Sequence, residues 1–309
     1  PSLTAVLANG ASLNYSGFIS VAQQQVVNTG QTSVQGVISF NDVDLTDRPS
    51  VSYQLKDVVA LAGDQSTSLS LSASQISEIT AGFTASVRAG STNSGSIDWN
   101  YAVDQSKLNF LGANQTVTLQ FTVTVSDGNA NSAPQDVTIT ITGTNDAPTL
   151  TAFTASVDTT NEDTVVEITL ADLLAQGNEA DVDGTVNSFV VKALSSGSLK
   201  IGTTEASAQP WNASTNATVD ANLKAYWTPA ANANGTLNAF TAVAKDNSGA
   251  ESATSITATV SVAAVNDAPV INSITIPATI VDTPATDTFA PVTGSILASD
   301  VDTNTTLNY

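Results

Sequence analysis

One short motif, Asn-Asp-Ala-Pro, occurs at matched places in this 309-residue chain, and it dictates how the rest can fold. It appears within Gly143-Thr144-Asn145-Asp146-Ala147-Pro148-Thr149-Leu150 and again within Val265-Asn266-Asp267-Ala268-Pro269-Val270-Ile271. Each copy closes one run of strand-like sequence and opens another. Pro1-Ser2-Leu3 matches the residues after the alanine in the other copies, so the chain is expected to begin just inside a further joint. Proline fixes its own φ, lacks an N–H and pushes the residue before it toward extended backbone, so the segment is stiff and non-helical. Asn and Asp offer oxygens either to nearby backbone N–H groups or to a hard cation.

The spacing of the copies sets the domain expectation. Pro148 lies 147 residues after Pro1, Pro269 lies 121 after Pro148, and 40 residues follow Pro269. Two complete modules, 1–146 and 147–267, are expected, with 268–309 the opening part of a further, incomplete one. Forty residues carry too little core to stand alone, so the chain reads as a segment of a longer array.

Between the joints, short runs rich in β-branched and aromatic residues alternate with Gly, Asn and Asp punctuation. Trp99, Tyr101 and Val103 alternate with Asp98, Asn100 and Ala102. Val117, Leu119, Phe121, Val123 and Val125 alternate with Thr and Gln, Ser126-Asp127-Gly128-Asn129 turns the chain, and Val137, Ile139 and Ile141 run into the first joint. That is a long hairpin. Helical periodicity is almost absent; Gln75–Ile79 and Ala171–Ala175 each suggest one turn, and 56–96 is the least readable stretch. The fold class expected is all-β: tandem immunoglobulin-like or cadherin-like antiparallel β-sandwiches joined by short acidic linkers.

An acidic loop recurs after each joint. Asp42 and Asp44 lie in Asn41–Asp47, Asp181 and Asp183 in Asp-Val-Asp-Gly, and Asp300 and Asp302 in Ser-Asp-Val-Asp; Asp42, Asp181 and Asp300 come after Pro1, Pro148 and Pro269 by 41, 33 and 31 residues. In a sandwich, alternate loops fall at one end. Asn145 and Asp146 of the joint, Asp181 with Asp183, and Asp246 of the last hairpin turn are therefore expected to converge, and Asn266, Asp267, Asp300 and Asp302 likewise. Four carboxylates meeting without a cation repel strongly. Oxygen-only donors with high negative charge select a hard ion taking six to eight ligands: Ca²⁺ first, Mg²⁺ second. Asp127 is either a further ligand or an ordinary turn residue, and Glu162 with Asp163 is either an additional acidic pair or a solvated strand edge.

Charge and composition narrow the function. Lys and Arg number 8 against 28 Asp and Glu, a net charge of −20, which disfavours nucleic acid and anionic membrane surfaces. The chain has no His and no Cys, so the commonest general base, thiolate nucleophiles, disulfides and the usual zinc ligands are missing. An enzyme is not expected. No run of 18 apolar residues occurs, so no membrane insertion is expected.

Three stretches carry a more specific resemblance: Trp99-Asn-Tyr-Ala-Val-Asp-Gln-Ser, Phe121-Thr-Val-Thr-Val-Ser-Asp-Gly-Asn and Val137-Thr-Ile-Thr-Ile-Thr-Gly-Thr-Asn-Asp-Ala-Pro. Together they resemble the VCBS repeat of large bacterial surface adhesins. Residues 149–268, with Asn161-Glu-Asp-Thr, Ala180-Asp-Val-Asp-Gly and Tyr226-Trp-Thr-Pro-Ala-Ala-Asn, resemble the cadherin-like repeat found beside VCBS units. The resemblance implies an RTX-type secreted adhesin exported by type I secretion, whose extender region stiffens when Ca²⁺ occupies the joints and supports adhesion and biofilm formation at the bacterial surface. By position it implies Asp146, Asp181, Asp183 and Asp246, then Asp267, Asp300 and Asp302, as ligands. The partners implied are neighbouring repeats of the same polypeptide and cell-surface or matrix components. Alternatives are a Ca²⁺-dependent carbohydrate-binding module using Trp99, Trp211 or Trp227, and a subunit of an extracellular fibre or surface layer.

Overall fold

The computed structural model describes residues 2–7, 18–22, 31–41, 48–92, 94–275, 284, 293–302 and 306–308. Asp42 and Asp44 lie outside these residues. Backbone packing divides the chain into two units. The first comprises Pro1–Thr149 with Glu179–Asn187 and Ala244–Ala253; the second comprises Leu150–Asn178, Ser188–Val243 and Thr254–Tyr309.

The first unit is an immunoglobulin-like β-sandwich. Its strands are β1 (Ser2–Leu7), β2 (Phe18–Ala22), β3 (Gln31–Asn41), β4 (Ser50–Leu61), β5 (Phe83–Val87), β6 (Ser94–Asp104), β7 (Thr116–Ser126) and β8 (Gln135–Thr142). One sheet has the order β1-β3-β6-β5 and the other β2-β8-β7-β4. The period of two that the sequence displays becomes the inward face: Ile97, Trp99, Tyr101 and Val103 of β6 are buried with Val117, Leu119, Phe121, Val123 and Val125 of β7 and Val137, Ile139 and Ile141 of β8. Burying each such side chain contributes about 1.5–3 kcal/mol. Phe83 stacks on Phe121 at 4.1 Å between ring centroids and links the two sheets.

The stretch that reads poorly, 56–96, holds the helix α1 (Ala73–Thr80), eight residues rather than the single turn expected over Gln75–Ile79. Its start is a capping box, with Gln75 N–H donating to Ser72 Oγ and Ser72 N–H to Gln75 Oε1. Tyr101 Oη donates to the Ile79 carbonyl at 2.8 Å, so the core holds the helix end, and burial pushes the phenol well above its ordinary range.

The second unit repeats the plan. Its strands are β9 (Asp158–Asn161), β10 (Val166–Ile168), β11 (Val186–Leu194), β12 (Ser198–Gly202), β13 (Gln209–Pro210), β14 (Thr218–Asp220), β15 (Lys224–Thr228), β16 (Gly235–Asp246) and β17 (Ile256–Ala263). The sheets run β10-β15-β12-β13 and β14-β11-β16-β17-β9. Trp227, Phe189 and Phe240 are fully buried. A helix α2 (Leu170–Gln176) comes after β10, capped by Thr169 and Asp172. Beyond β17, β18 (Val270–Ile274) and β19 (Ile296–Ser299) form a two-stranded sheet that leaves Val270, Ile271, Ile274, Ile296 and Leu297 exposed.

One register matters for the site. β2 pairs in parallel with β8, and β9 pairs in parallel with β17, so Ala22 faces Thr142 as Asn161 faces Ala263. Thr142 and Ala263 each stand four residues before the Asp of an Asn-Asp-Ala-Pro motif. In both units, therefore, a hydrogen-bonded ladder delivers the motif.

Gly36 lies opposite Trp99 in the β3–β6 ladder, and a Cβ there would overlap the indole ring. Gly36→Ala is expected to destabilise the first unit by about 1–3 kcal/mol through overpacking. Urea unfolding followed by tryptophan fluorescence checks this; an unchanged midpoint contradicts the packing described.

Candidate metal centre

The first acidic cluster lies in the first unit and draws on three distant stretches. Asp146 N–H donates to Asp183 Oδ2 at 3.0 Å, and Asn145 Nδ2 donates to Asp246 Oδ2 at 2.7 Å and to its neighbour's carbonyl at 2.9 Å. Asp181 Oδ1 accepts from the N–H groups of Asp183 and Gly184 and so folds the acidic loop on itself. A side chain at Gly184 would put its Cβ 2.8 Å from Asp181 Oδ2, so glycine keeps this loop tight. Asn145, Asp146, Asp181, Asp183 and Asp246 thus come together as their spacing suggests.

The electrostatics are unfavourable for bare carboxylates. Asp146 Oδ2, Glu179 Oε2, Asp181 Oδ2 and Asp183 Oδ1 are all shielded from solvent and have no hydrogen-bond partner. Burial and then the charge of Asp181 push the Asp146 carboxyl up. Burial foremost pushes Asp183 up to about 6, with Asp181 and Asp146 adding to it against the Asp146 N–H bond. Two like charges about 4 Å apart repel by about 4 kcal/mol at an effective dielectric constant of 20, a large share of a domain's whole stability. Orphaned, buried, oxygen-only donors are what a hard divalent cation takes. The donor set fits such an ion.

Asp246 is a different kind of member. It is 2% exposed, and its Oδ1 accepts from the N–H groups of Ser248, Gly249 and Ala250. Burial raises its carboxyl, but Asn145 and these N–H groups outweigh that and hold it below the usual carboxylate range. Asp127 occupies the matching hairpin turn of the first sandwich, where its Oδ1 accepts from Asn129 and Ala130 N–H. These are the bonds of a turn.

The second cluster lies in the second unit and reproduces the backbone scheme of the first. Asp267 N–H donates to Asp302 Oδ2 at 2.7 Å, Asn266 Nδ2 to the Asp267 carbonyl at 2.8 Å, and Asp302 N–H to Asp300 Oδ1 at 3.0 Å. Glu162 is 5% exposed, and one carboxylate oxygen from each of Glu162, Asp267 and Asp302 lies within 4.8 Å of the other two. Burial, then Asp302, Glu162, Asp163 and Asp300, push the Asp267 carboxyl up.

Sequence reasoning missed two groups. Glu179 stands two residues before Asp181, and its Oε2 is shielded from solvent without a hydrogen-bond partner; its place beside the Asp-x-Asp loop could have found it. Asn232 joins the second cluster from the loop before β16: its backbone N–H donates to Asp163 Oδ1 at 3.1 Å, and no acidic pattern marks it. Trp99 and Trp227 are buried, and Trp211 packs against Val190, Ala217 and Val243 while its Nε1 donates to the Val191 carbonyl.

The raised Asp183 carboxyl has a sign that can be checked. In metal-free protein the folded state keeps a proton on Asp183 between about pH 4 and 6, where the unfolded state, at the usual 3.8, has lost it. The penalty is therefore absent below the unfolded value and complete above the folded one, so stability falls as pH rises through this window. In chelator, the melting temperature of the native chain minus that of the Asp183→Asn variant is expected to fall between pH 4 and 6.5. A flat difference contradicts the clustering.

No protein-family model matches the chain, and no curated protein matches it. Among solved structures, the human desmocollin-1 ectodomain is similar at 15% identity and a TM-score of 0.31, over 89% of this chain and 44% of that one. This chain thus spans less than half of that ectodomain. The C-terminal domain of the Streptococcus agalactiae AgI/II polypeptide BspA is similar at 10% identity and a TM-score of 0.23, over 84% of this chain and 99% of that one. The tandem Ig repeats of Dlar reach 11% and 0.19, over 84% and 100%. Likenesses at these scores carry no argument about ligand or activity; the fold class rests on the sheets themselves.

Proposed function

We propose that this chain is a structural extender segment of a secreted, cell-surface bacterial adhesin of the VCBS and cadherin-like type, rigidified by Ca²⁺ at its Asn-Asp-Ala-Pro joints, and that it performs no catalytic step. The observation that carries this reading is the set of four buried carboxylate oxygens without partners, on Asp146, Glu179, Asp181 and Asp183. Its recurrence as the same backbone arrangement around Asp267, Asp300 and Asp302 supports it.

In the first cluster Asp146, Asp181 and Asp183 would hold the ion with Glu179, and Asn145 and Asp246 would fix the loop that presents them. In the second, Asp267, Asp300, Asp302 and Glu162 would do so. Calcium supplies positive charge that turns mutual repulsion into shared attraction, tying the stiff proline segment to loops far away in sequence. Among the described residues no helix is long and apolar enough to cross a membrane, and the acidic surface suits a chain working in calcium-rich medium. Burial of Trp99 and Trp227, and the partial burial of Trp211 with its Nε1 bonded to the Val191 carbonyl, favour this reading over a sugar-stacking module.

Extracellular sites of this kind bind with Kd of about 10⁻⁴ to 10⁻³ M. At a hundredfold excess over Kd each ion adds about 2.7 kcal/mol to stability, which converts to about 5–10 °C for sandwiches of this size. Adding chelator is therefore expected to lower the melting temperature by that order and to shorten the maximum dimension in small-angle X-ray scattering. The double variant Asp181→Ala, Asp183→Ala should lose part of both responses. Identical melting and scattering with and without chelator contradict the proposal.

A further inference from the structure

We infer that Asn234 is a site of spontaneous deamidation, and that the aspartate formed there adds a carboxylate to the Glu162–Asp267–Asp302 cluster. The modification stands apart from the calcium reading above; only its consequence for metal binding rests on that reading.

Asparagine loses its side-chain amide when the backbone nitrogen of the next residue attacks its Cγ. A bond forms between that nitrogen and Cγ, the Cγ–Nδ2 bond breaks, and the proton of the attacking nitrogen leaves with Nδ2 as ammonia. Water then opens the cyclic imide, at Cγ to give aspartate or at the backbone carbonyl to give isoaspartate. A side chain on the following residue hinders the attack, and glycine has none. The sequence holds two Asn-Gly pairs: Asn9-Gly10, outside the described residues, and Asn234-Gly235. Every other described asparagine is followed by a residue with a side chain.

The surroundings of Asn234 leave the reaction open. Asn234 and Gly235 are exposed at the start of β16, φ of Gly235 is 95°, and a Cβ there would meet nothing within 4 Å, so no neighbour crowds that side of the glycine. Elsewhere asparagine amides are tied down. Asn178 Oδ1 accepts from Thr151 and Ala152 N–H, Asn216 Nδ2 donates to the carbonyls of Ile201, Gln209 and Pro210, and Asn247 Oδ1 accepts from Thr185 N–H.

The position of Asn234 decides what the change does. Its Nδ2 donates to Glu162 Oε2 at 3.2 Å. Glu162 is 5% exposed, and one of its oxygens lies within 4.8 Å of an oxygen from each of Asp267 and Asp302. Deamidation replaces the donor with a negatively charged oxygen, so a hydrogen bond becomes a like-charge contact. Glu162 is also held from its other side, where Oε1 accepts from Val265 N–H. A cation among these acids offsets the added charge, and calcium affinity rises with ligand charge. Ageing of the chain thus increases its dependence on the ion.

Proteolytic mapping by mass spectrometry, on the full chain incubated at mildly alkaline pH, tests the chemistry. Asn234 is expected to convert before any other described asparagine. An Asn234 that keeps its amide while a synthetic peptide of residues 229–238 loses it overturns the proposal. Thermal melts test the consequence, with far-UV circular dichroism to confirm that each variant is folded. In chelator, Asn234→Asp is expected to melt about 2–8 °C below the native chain. Aged native chain should move the same way, and aged Asn234→Gln should not. Equal melting of Asn234→Asp and the native chain in chelator overturns the placement of the charge. In excess calcium the deficit is expected to close; a deficit that calcium leaves unchanged contradicts the calcium reading, while the modification and its charge stand.

Discussion

Like-charge repulsion is the constraint on which the rest of this structure turns. The β-ladders are well packed and need no help, but they end by carrying Asp146 against Asp183 and Asp267 against Asp302, where backbone hydrogen bonds hold carboxylates together that would otherwise separate. No lysine or arginine is hydrogen-bonded to either set among the described bonds. The described ion pairs, Lys56 with Asp136, Arg88 with Asp98, Lys107 with Glu78 and Lys224 with Glu167, involve none of the cluster residues.

Both clusters are built by the same three steps. A parallel pairing of an early strand with the last strand sets the position of the motif, proline stiffens the chain beyond it, and an Asp-x-Asp loop folds on its own N–H groups to present its remaining oxygens. The last two steps are local and cheap in sequence. The costly step is burying carboxylate oxygens without partners, as at Asp146, Glu179, Asp181 and Asp183; what recurs in the second unit, at the same place relative to the motif, is the backbone scheme that gathers the acids. A stretch that merely ended a strand would have no reason to repeat it.

Much of this is legible in the residues alone, and the parts that are not have physical reasons. Strict period two in 97–103, 117–125 and 137–141 fixes the sandwich, since one face must be buried. Recurrence of Asn-Asp-Ala-Pro with Asp-x-Asp identifies both clusters. The stretch 56–96 is obscure because β4 is an edge strand with a bulge at Leu55/Asp57 and little alternation, and because α1 owes its start to Ser72 and Gln75 rather than to apolar periodicity. Asn232 is invisible because its role comes from left-handed backbone in a loop, which an Asn-Ala-Asn-Gly sequence permits without announcing. Glu162 is visible only as half of an acidic pair; its burial comes from the β9–β17 ladder, a long-range pairing that no local pattern encodes.

The most direct measurement is an anomalous difference map from crystals grown in millimolar calcium. The account predicts a peak about 2.3–2.6 Å from oxygens of Asp146, Asp181 and Asp183, and another at the same range from Glu162, Asp267 and Asp302. Maps featureless at both clusters, with their carboxylates turned apart into water, would contradict it.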